Sequence, residues 1–204
     1  MDKFTTLTAT ACYYPRDNVD TDLIIRAERC ARVEKDGLGA YAFEMARFLP
    51  GGAENPDFPL NQPGFRGAKI LVGSINFGCG SSREMAVWAI AGMGIRCVIA
   101  PSFGEIFFGN CFQNGLLPIV LPRDKVEKLG AQLAADPSKA TVTVDLAKQV
   151  VIAPSGEPLA FEIEPLRKRA LLEGLDEIGL TLLREAEIAE FQRIDRTKRP
   201  WVYV

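Results

Sequence analysis

The sequence predicts an α/β fold with a parallel βαβαβ core and a C-terminal α/β extension. The first observation behind this is the alternation between Phe65 and Leu121. Short β-branched runs (Lys69–Ile75, Arg96–Ala100, Leu116–Leu121) alternate with helical ones (Ser82–Met93, Phe103–Asn114), and Gly94 and Gly115 stand where helices should end. Strands this short and apolar, joined by helices, imply crossover connections and a buried parallel sheet. The second is bulk: 204 residues, 48% of them hydrophobic, suffice for one sizeable core. No repeat or linker divides the chain, so residues 1–204 read as one domain, with a core over 1–122 and the extension over 123–204.

In chain order, residues 4–12 alternate and read as a first strand. The polar run Asp17-Asn18-Val19-Asp20-Thr21-Asp22 then enters the apolar Leu23-Ile24-Ile25. If extended, it sets Asp20 and Asp22 on one face; as an Asx-type turn, it leaves both acids solvated. A calcium loop lacks its further acidic ligands here. Residues 26–49 read as loop plus helix, broken at Gly37-Leu38-Gly39. Pro50–Pro59 is an irregular loop of the kind that is functional or mobile. Beyond Pro122 a helix over Arg123–Ala134 precedes a hairpin of Thr141–Leu146 and Gln149–Ala153, then a strand over Leu159–Ile163. Pro165 opens a helix that Gly174 ends, and Thr181–Ile194 reads as a second, amphipathic helix.

Composition excludes several function classes. A net charge of −2 leaves no broad basic face for nucleic acid. The N-terminus carries no apolar signal segment, and the apolar stretch Met85–Pro101 is interrupted at Gly92, Gly94 and Arg96, so no membrane span and a cytoplasmic location are expected. Five dispersed cysteines, with no Cys-x-x-Cys, fit neither a disulfide framework nor a self-contained metal site, and no metal ligand is assigned. The absence of histidine removes Ser-His-Asp and Cys-His nucleophiles and imidazole acid–base chemistry.

The informative stretch is Asn76-Phe77-Gly78-Cys79-Gly80-Ser81-Ser82-Arg83-Glu84, placed between a strand and a helix. Two glycines allow a tight turn, and the free N–H groups of the following helix then face a site for an anion. A cation in the first helical turn, Arg83, opposes the helix dipole unless an anion binds there. Ser81, Ser82 and Arg83 thus form a candidate carboxylate site. The same residues also admit a plainer role, with Ser81 as N-cap, Glu84 as its capping-box partner and Arg83 solvated. Dinucleotide and nucleophile-elbow motifs fail because Arg83 stands where each needs glycine, the elbow also lacking its histidine partner, and a phosphate loop fails for want of Gly-Lys-Ser/Thr.

This stretch, with Val98-Ile99-Ala100-Pro101-Ser102-Phe103, Gly109-Asn110 and Asn114-Gly115-Leu116-Leu117-Pro118, resembles the swivel domain of the aconitase superfamily, a swivelling β/β/α fold. Adding Asn18-Val19-Asp20-Thr21-Asp22, Asn55-Pro56-Asp57-Phe58 and Gly174 to Leu182, residues 5–195 resemble the small-subunit family of bacterial 3-isopropylmalate dehydratases. One departure stands in the core motif, where Met85 replaces the family's usual histidine.

The resemblance implies a hydro-lyase inactive without a large subunit, which holds a [4Fe–4S] cluster through three cysteines and binds the hydroxyl of a small hydroxy-dicarboxylate. It implies Ser81 as the base, acting as an alkoxide, and Ser82 and Arg83 as ligands of the substrate carboxylate. Asp22 matches an active-site aspartate, and Arg26 or Arg29 is implied as a second carboxylate contact. The expected reaction interconverts 2-isopropylmalate and 3-isopropylmalate in leucine biosynthesis. Met85 leaves two alternatives in view, a related citraconate- or homoaconitate-type dehydratase and a non-catalytic anion-binding paralogue.

Overall fold

Strand β1 (Thr6–Tyr13) is the hinge of the architecture, because its two halves belong to different pairings. In this computed structural model, which describes residues 1–203, Ala11–Tyr13 pair in parallel with β2 (Ile70–Val72), while Thr6–Thr10 pair antiparallel with β5 (Thr141–Asp145). β3 (Cys97–Ala100) and β4 (Leu117–Val120) extend the parallel side, and β6 (Val150–Ile152) and β7 (Pro158–Ala160) the antiparallel side. The result is one seven-stranded mixed sheet in the order β4-β3-β2-β1-β5-β6-β7. The parallel strands and the following hairpin thus meet at β1.

Successive side chains on the parallel strands point to opposite faces, and each face has its own cover. Ile70, Val72, Cys97, Ile99, Leu117 and Ile119 pack with Val126, Leu129 and Leu133 of α6 (Arg123–Ala135). On the other face Leu71, Val98 and Ala100 meet Ala86, Val87 and Ile90 of α4 (Glu84–Gly92) and Phe107 and Cys111 of α5 (Glu105–Gln113). Both faces are therefore apolar, which is why these strands read as continuous rather than alternating runs. Each fully buried Leu or Ile contributes about 1.5–3 kcal/mol.

Several expected boundaries shift. The run Lys69–Ile75 yields only β2, because beyond Gly73 the chain turns to other partners and the Ile75 carbonyl accepts from Asn18 N at 2.9 Å. The helix expected from Ser82 starts two residues later, at Glu84. Asp20 and Asp22 do not share an extended face. Asp20 instead caps a single helical turn, α1 (Thr21–Ile24), accepting from Leu23 N at 2.7 Å in an Asx-type turn, whereas Asp22 is not left solvated but pairs with Arg83. Two further short helices, α2 (Ala27–Cys30) and α3 (Glu44–Arg47), flank a 3-10 segment over Lys35–Tyr41.

The loop expected to be mobile or functional is tied down by its own asparagines. Asn61 is buried, and its amide donates to the Arg47 and Asn55 carbonyls at 2.7 and 2.8 Å, while Asn55 donates to Ala46 at 2.9 Å. Phe58 packs edge-on to Tyr14, beside Phe43. The tip over residues 49–54, with Pro56 and Asp57, stays exposed.

At the C-terminus, α7 (Pro165–Glu173) ends at Gly174 in left-handed conformation (φ 74°), as its sequence predicts. The single helix expected over Thr181–Ile194 is instead two, α8 (Glu177–Leu182) and α9 (Glu185–Lys198). Asp176 starts α8 early by accepting from Gly179 N at 2.7 Å, and a tight turn from Arg184 N to the Thr181 carbonyl separates the two.

Candidate active site

The glycine turn leaves the carboxyl end of β2 and is held on both flanks by main chain. On one side Gly78 N donates to Val19 O at 2.7 Å and Thr21 N to Cys79 O at 2.9 Å. On the other, Phe77 N donates to Ser102 O at 3.0 Å and Gly104 N to Phe77 O at 2.9 Å. Side chains complete the frame: the buried Thr21 hydroxyl donates to the Ser81 carbonyl at 3.1 Å, Asn76 donates to Asn18 at 2.9 Å, and the Ser102 hydroxyl accepts from Asn76 N at 2.8 Å. This lies at the carboxyl ends of β1, β2 and β3, where parallel sheets bind ligands.

Close approach explains the glycines. A Cβ on Gly78 would lie 2.2 Å from the Phe107 ring, and one on Gly104 would lie 2.5 Å from the Gly78 carbonyl oxygen. The turn also needs left-handed backbone at Asn76 (φ 59°), Gly78 (φ 74°) and Gly80 (φ 90°).

Ser81 and Ser82 are exposed at the mouth of the turn. Arg83 is the N-cap residue of α4 rather than a member of its first turn, and no side-chain bond caps this helix. The N-cap role for Ser81 is thereby corrected. Glu84 does not close a capping box either, because its carboxylate accepts from Asn114 Nδ2 at 2.8 Å. Asn114 in turn accepts from Trp88 Nε1 at 2.9 Å and from Lys35 at 3.4 Å.

Arg83 Nη1 donates to Asp22 Oδ1, joining the two halves of the site across 61 positions of sequence. The Asp22 carboxylate beside it raises the pKa of the guanidinium, which stays charged at any working pH. Arg83 is thus already engaged by a carboxylate of the chain itself through Nη1.

Arg26 and Arg29 take a different direction. Arg29 Nε donates to the Glu44 carboxylate at 3.0 and 3.3 Å and its guanidinium lies 4.1 Å from the Tyr41 ring centroid, while Arg26 pairs with Glu28 at 3.1 Å and Glu44 at 3.6 Å. Both line a cleft of about 710 Å³ with Met45 and Phe48, whose walls do not include Ser81, Ser82 or Arg83. Ser81, Ser82, Arg83 and Asp22 are therefore brought together, whereas Arg26 and Arg29 are held by Glu44.

The cysteines are poor cluster ligands here. Cys12, Cys97 and Cys111 are buried among the sheet's side chains, and burial raises all three thiols, Cys12 to about 12. Among the described residues no three Cys, Asp or Glu side chains converge as a metal site. The chain's own residues do not fit an iron–sulfur cluster.

Thr21, Asn18, Asn76 and Ser102 were not singled out as site residues by sequence reasoning. Thr21 passes as β-branched filler between two aspartates, and an asparagine at φ > 0 has no local signature beyond its amide.

The family model "Aconitase C-terminal domain" matches residues 1–124, and a second, "LeuD_N", matches residues 127–165. The 3-isopropylmalate dehydratase small subunit of Paramagnetospirillum magneticum is 54% identical over 202 residues, covering 99% of this chain and 100% of that protein. The same-named protein of Rhodospirillum rubrum is 52% identical, covering 99% and 97%. The crystal structure of 3-isopropylmalate dehydratase from Methanocaldococcus jannaschii superposes with a TM-score of 0.67 at 26% identity, covering 91% of this chain and 98% of that one. With its sheet order, its clamped glycine turn and these full-length relatives, the chain belongs to the aconitase C-terminal-domain family and, within it, to the 3-isopropylmalate dehydratase small subunits.

Proposed function

We propose that this chain is the small subunit of a 3-isopropylmalate dehydratase, a hydro-lyase interconverting 2-isopropylmalate and 3-isopropylmalate in leucine biosynthesis. The observation that carries the reading is the exposed Ser81 and Ser82 beside the half-buried Arg83 with Asp22 on it, in a chain about half identical over its whole length to relatives of that name. Met85, the one departure from the family motif, packs against the apolar cluster beneath α4. Its exchange is therefore compatible with an unchanged carboxylate corner.

Dehydration of a hydroxy-diacid removes a proton alpha to a carboxylate while negative charge builds on that carboxylate. A cation fixed in advance where the charge develops lowers the barrier without reorganising. Arg83, oriented by Asp22, supplies that cation, and the Ser82 hydroxyl adds a donor to the same carboxylate. Ser81 takes the proton. A serine hydroxyl is a weak acid, so its anion depends on the nearby guanidinium and on water being excluded when the partner closes the site. Asp22 is a positioning residue in this scheme, and Arg26 and Arg29 reach substrate only if Glu44 releases them.

The small-subunit relatives imply a large partner, and the [4Fe–4S] cluster belongs on that subunit in this reading, since the cysteines here do not suit it. The complex is assigned to the cytoplasm; among the described residues no helix is long and apolar enough to cross a membrane. The test is reconstitution: the purified chain should turn over no 2-isopropylmalate and carry no iron, and adding the large subunit should produce turnover. Stoichiometric iron with activity in the isolated chain, or a reconstituted pair that prefers another diacid, would overturn the assignment.

Arg83→Lys in the reconstituted enzyme keeps the charge but loses the planar fork that meets both carboxylate oxygens. Losing one charge-assisted bond of about 1.5–3 kcal/mol should raise KM roughly tenfold to a hundredfold, with a smaller fall in kcat. An unchanged KM would remove Arg83 from the carboxylate site.

A further inference from the structure

We infer that Asn114 is a positioning residue for Arg83, acting through Glu84 and the first turn of α4; the inference rests on Arg83 binding the substrate carboxylate. Asn114 is the half-buried residue that closes α5, and the hydrogen-bonding capacity of its amide is fully used. Nδ2 donates to the Glu84 carboxylate at 2.8 Å and to the Asn110 carbonyl at 2.9 Å, while Oδ1 accepts from Trp88 Nε1 at 2.9 Å and from Lys35 Nζ at 3.4 Å. Two donors and two acceptor lone pairs are all that an asparagine side chain has. Turning the amide over would set its oxygen against a carboxylate and a carbonyl, and its NH2 against an indole N–H and an ammonium. The four partners therefore fix one orientation.

Three elements meet at this amide. Glu84 and Trp88 stand four residues apart on one face of α4, so Asn114 grips the first turn of that helix at both ends. Lys35, whose ammonium lies 4.7 Å from the centre of the Trp88 ring, ties in the 3-10 segment Lys35–Tyr41. That segment lies so close along α4 that a Cβ on Gly39 would fall 2.2 Å from the Gly92 main chain. Helix α4 has no side-chain N-cap, and its N-cap residue is Arg83 itself. Among the described residues, the side-chain bond that holds Glu84, the first residue of α4, comes from Asn114. Arg83 directly precedes Glu84, and its guanidinium is tied to Asp22 of α1. Its head is thus set by Asp22 and the main chain at its root by Asn114. A planar fork meets a carboxylate in a narrow range of orientations, so loosening the root misaligns the pair.

The experiment compares variants in the complex reconstituted with the large subunit, with 2-isopropylmalate as substrate. Asn114→Asp keeps the shape of the side chain and both contacts of Oδ1, but it places a second carboxylate against Glu84. KM should rise about tenfold, while kcat per folded molecule changes by less than about threefold. Glu84→Gln leaves an amide oxygen to accept from Asn114 and should stay close to the parent. Combining the two exchanges lets the glutamine NH2 donate to the new carboxylate, and KM should return to within about threefold of the parent, a coupling that general destabilisation does not produce. Glu84→Ala cuts the same bond from the side of α4 and should also raise KM, which keeps the inference testable if circular dichroism shows Asn114→Asp misfolded. An unchanged KM in the folded variants that lack the bond, or a double variant no better than Asn114→Asp, would overturn the inference. Arg83→Lys measured alongside separates the two levels. A raised KM there with an unchanged KM in Asn114→Asp and Glu84→Ala removes Asn114 alone, whereas an unchanged KM in Arg83→Lys removes Arg83 from the carboxylate site and Asn114 with it.

Discussion

Ser81→Ala, in the complex reconstituted with the large subunit, is expected to lower kcat about a hundredfold or more while leaving KM nearly unchanged. The structure sharpens this expectation by stripping Ser81 of a structural role for its hydroxyl. Helix α4 starts at Glu84 with Arg83 as N-cap, so no cap is lost with the side chain. The main-chain carbonyl of Ser81 does hold structure, accepting from the Thr21 hydroxyl at 3.1 Å and from Arg83 N at 2.8 Å, but alanine keeps both bonds. Thermal stability should therefore move by well under the roughly 1 kcal/mol that a lost cap costs. Melting curves and kcat measured on one sample separate the roles: a destabilised but fully active variant would falsify Ser81 as the base.

Gly78→Ala is expected to be the most damaging single change in the turn, lowering Tm by roughly 5–15 °C for a chain of this size. Two costs add. The left-handed backbone at φ 74° disfavours any side chain by about 1–2 kcal/mol. The new methyl would also lie 2.2 Å from the Phe107 ring, an overpacking worth about 1–3 kcal/mol. That ring is locked in turn, 5.7 Å centroid to centroid from Phe77 and 6.4 Å from Phe103, so it cannot swing away alone. Gly80→Ala is the internal control. It shares the positive φ, but its methyl would meet nothing nearer than Asp20 Cβ at 3.4 Å, so it should cost only the conformational share. Equal melting shifts for the two variants would contradict the packing argument.

Where the sequence was legible, a local signal had no competitor. The parallel core was readable because β2, β3 and β4 are apolar on both faces and Gly94 and Gly115, both at positive φ, punctuate them. The glycine turn between β2 and α4 was readable because Gly78 and Gly80, both at positive φ, mark a tight turn between strand and helix. Legibility failed where a distant partner decided the outcome. Glu84 looked like a capping-box acid, yet Asn114, thirty positions on, takes its carboxylate. Pro50–Pro59 looked free because nothing in it reveals that the Asn61 amide will bond Arg47 and Asn55. Arg26 and Arg29 looked available because Glu44 is far along the chain, and folding brings it onto both. The split between α8 and α9 was missed for a local reason, since Asp176 was not weighed as an N-cap.

The position of β1 at the centre of the sheet carries a consequence for how this protein is made. β1 is synthesised well before its antiparallel partner, since the Thr143 that faces its Thr8 lies 135 residues further along. At roughly 5–20 residues per second, an elongating chain holds that strand unpaired on its antiparallel side for about 7–27 s. Its parallel partner β2 emerges in about half that time but cannot bury both edges of β1. Throughout this window an unpaired strand edge is exposed to other nascent chains, so yield in the cell should depend on chaperone capacity during synthesis more than on the stability of the finished fold.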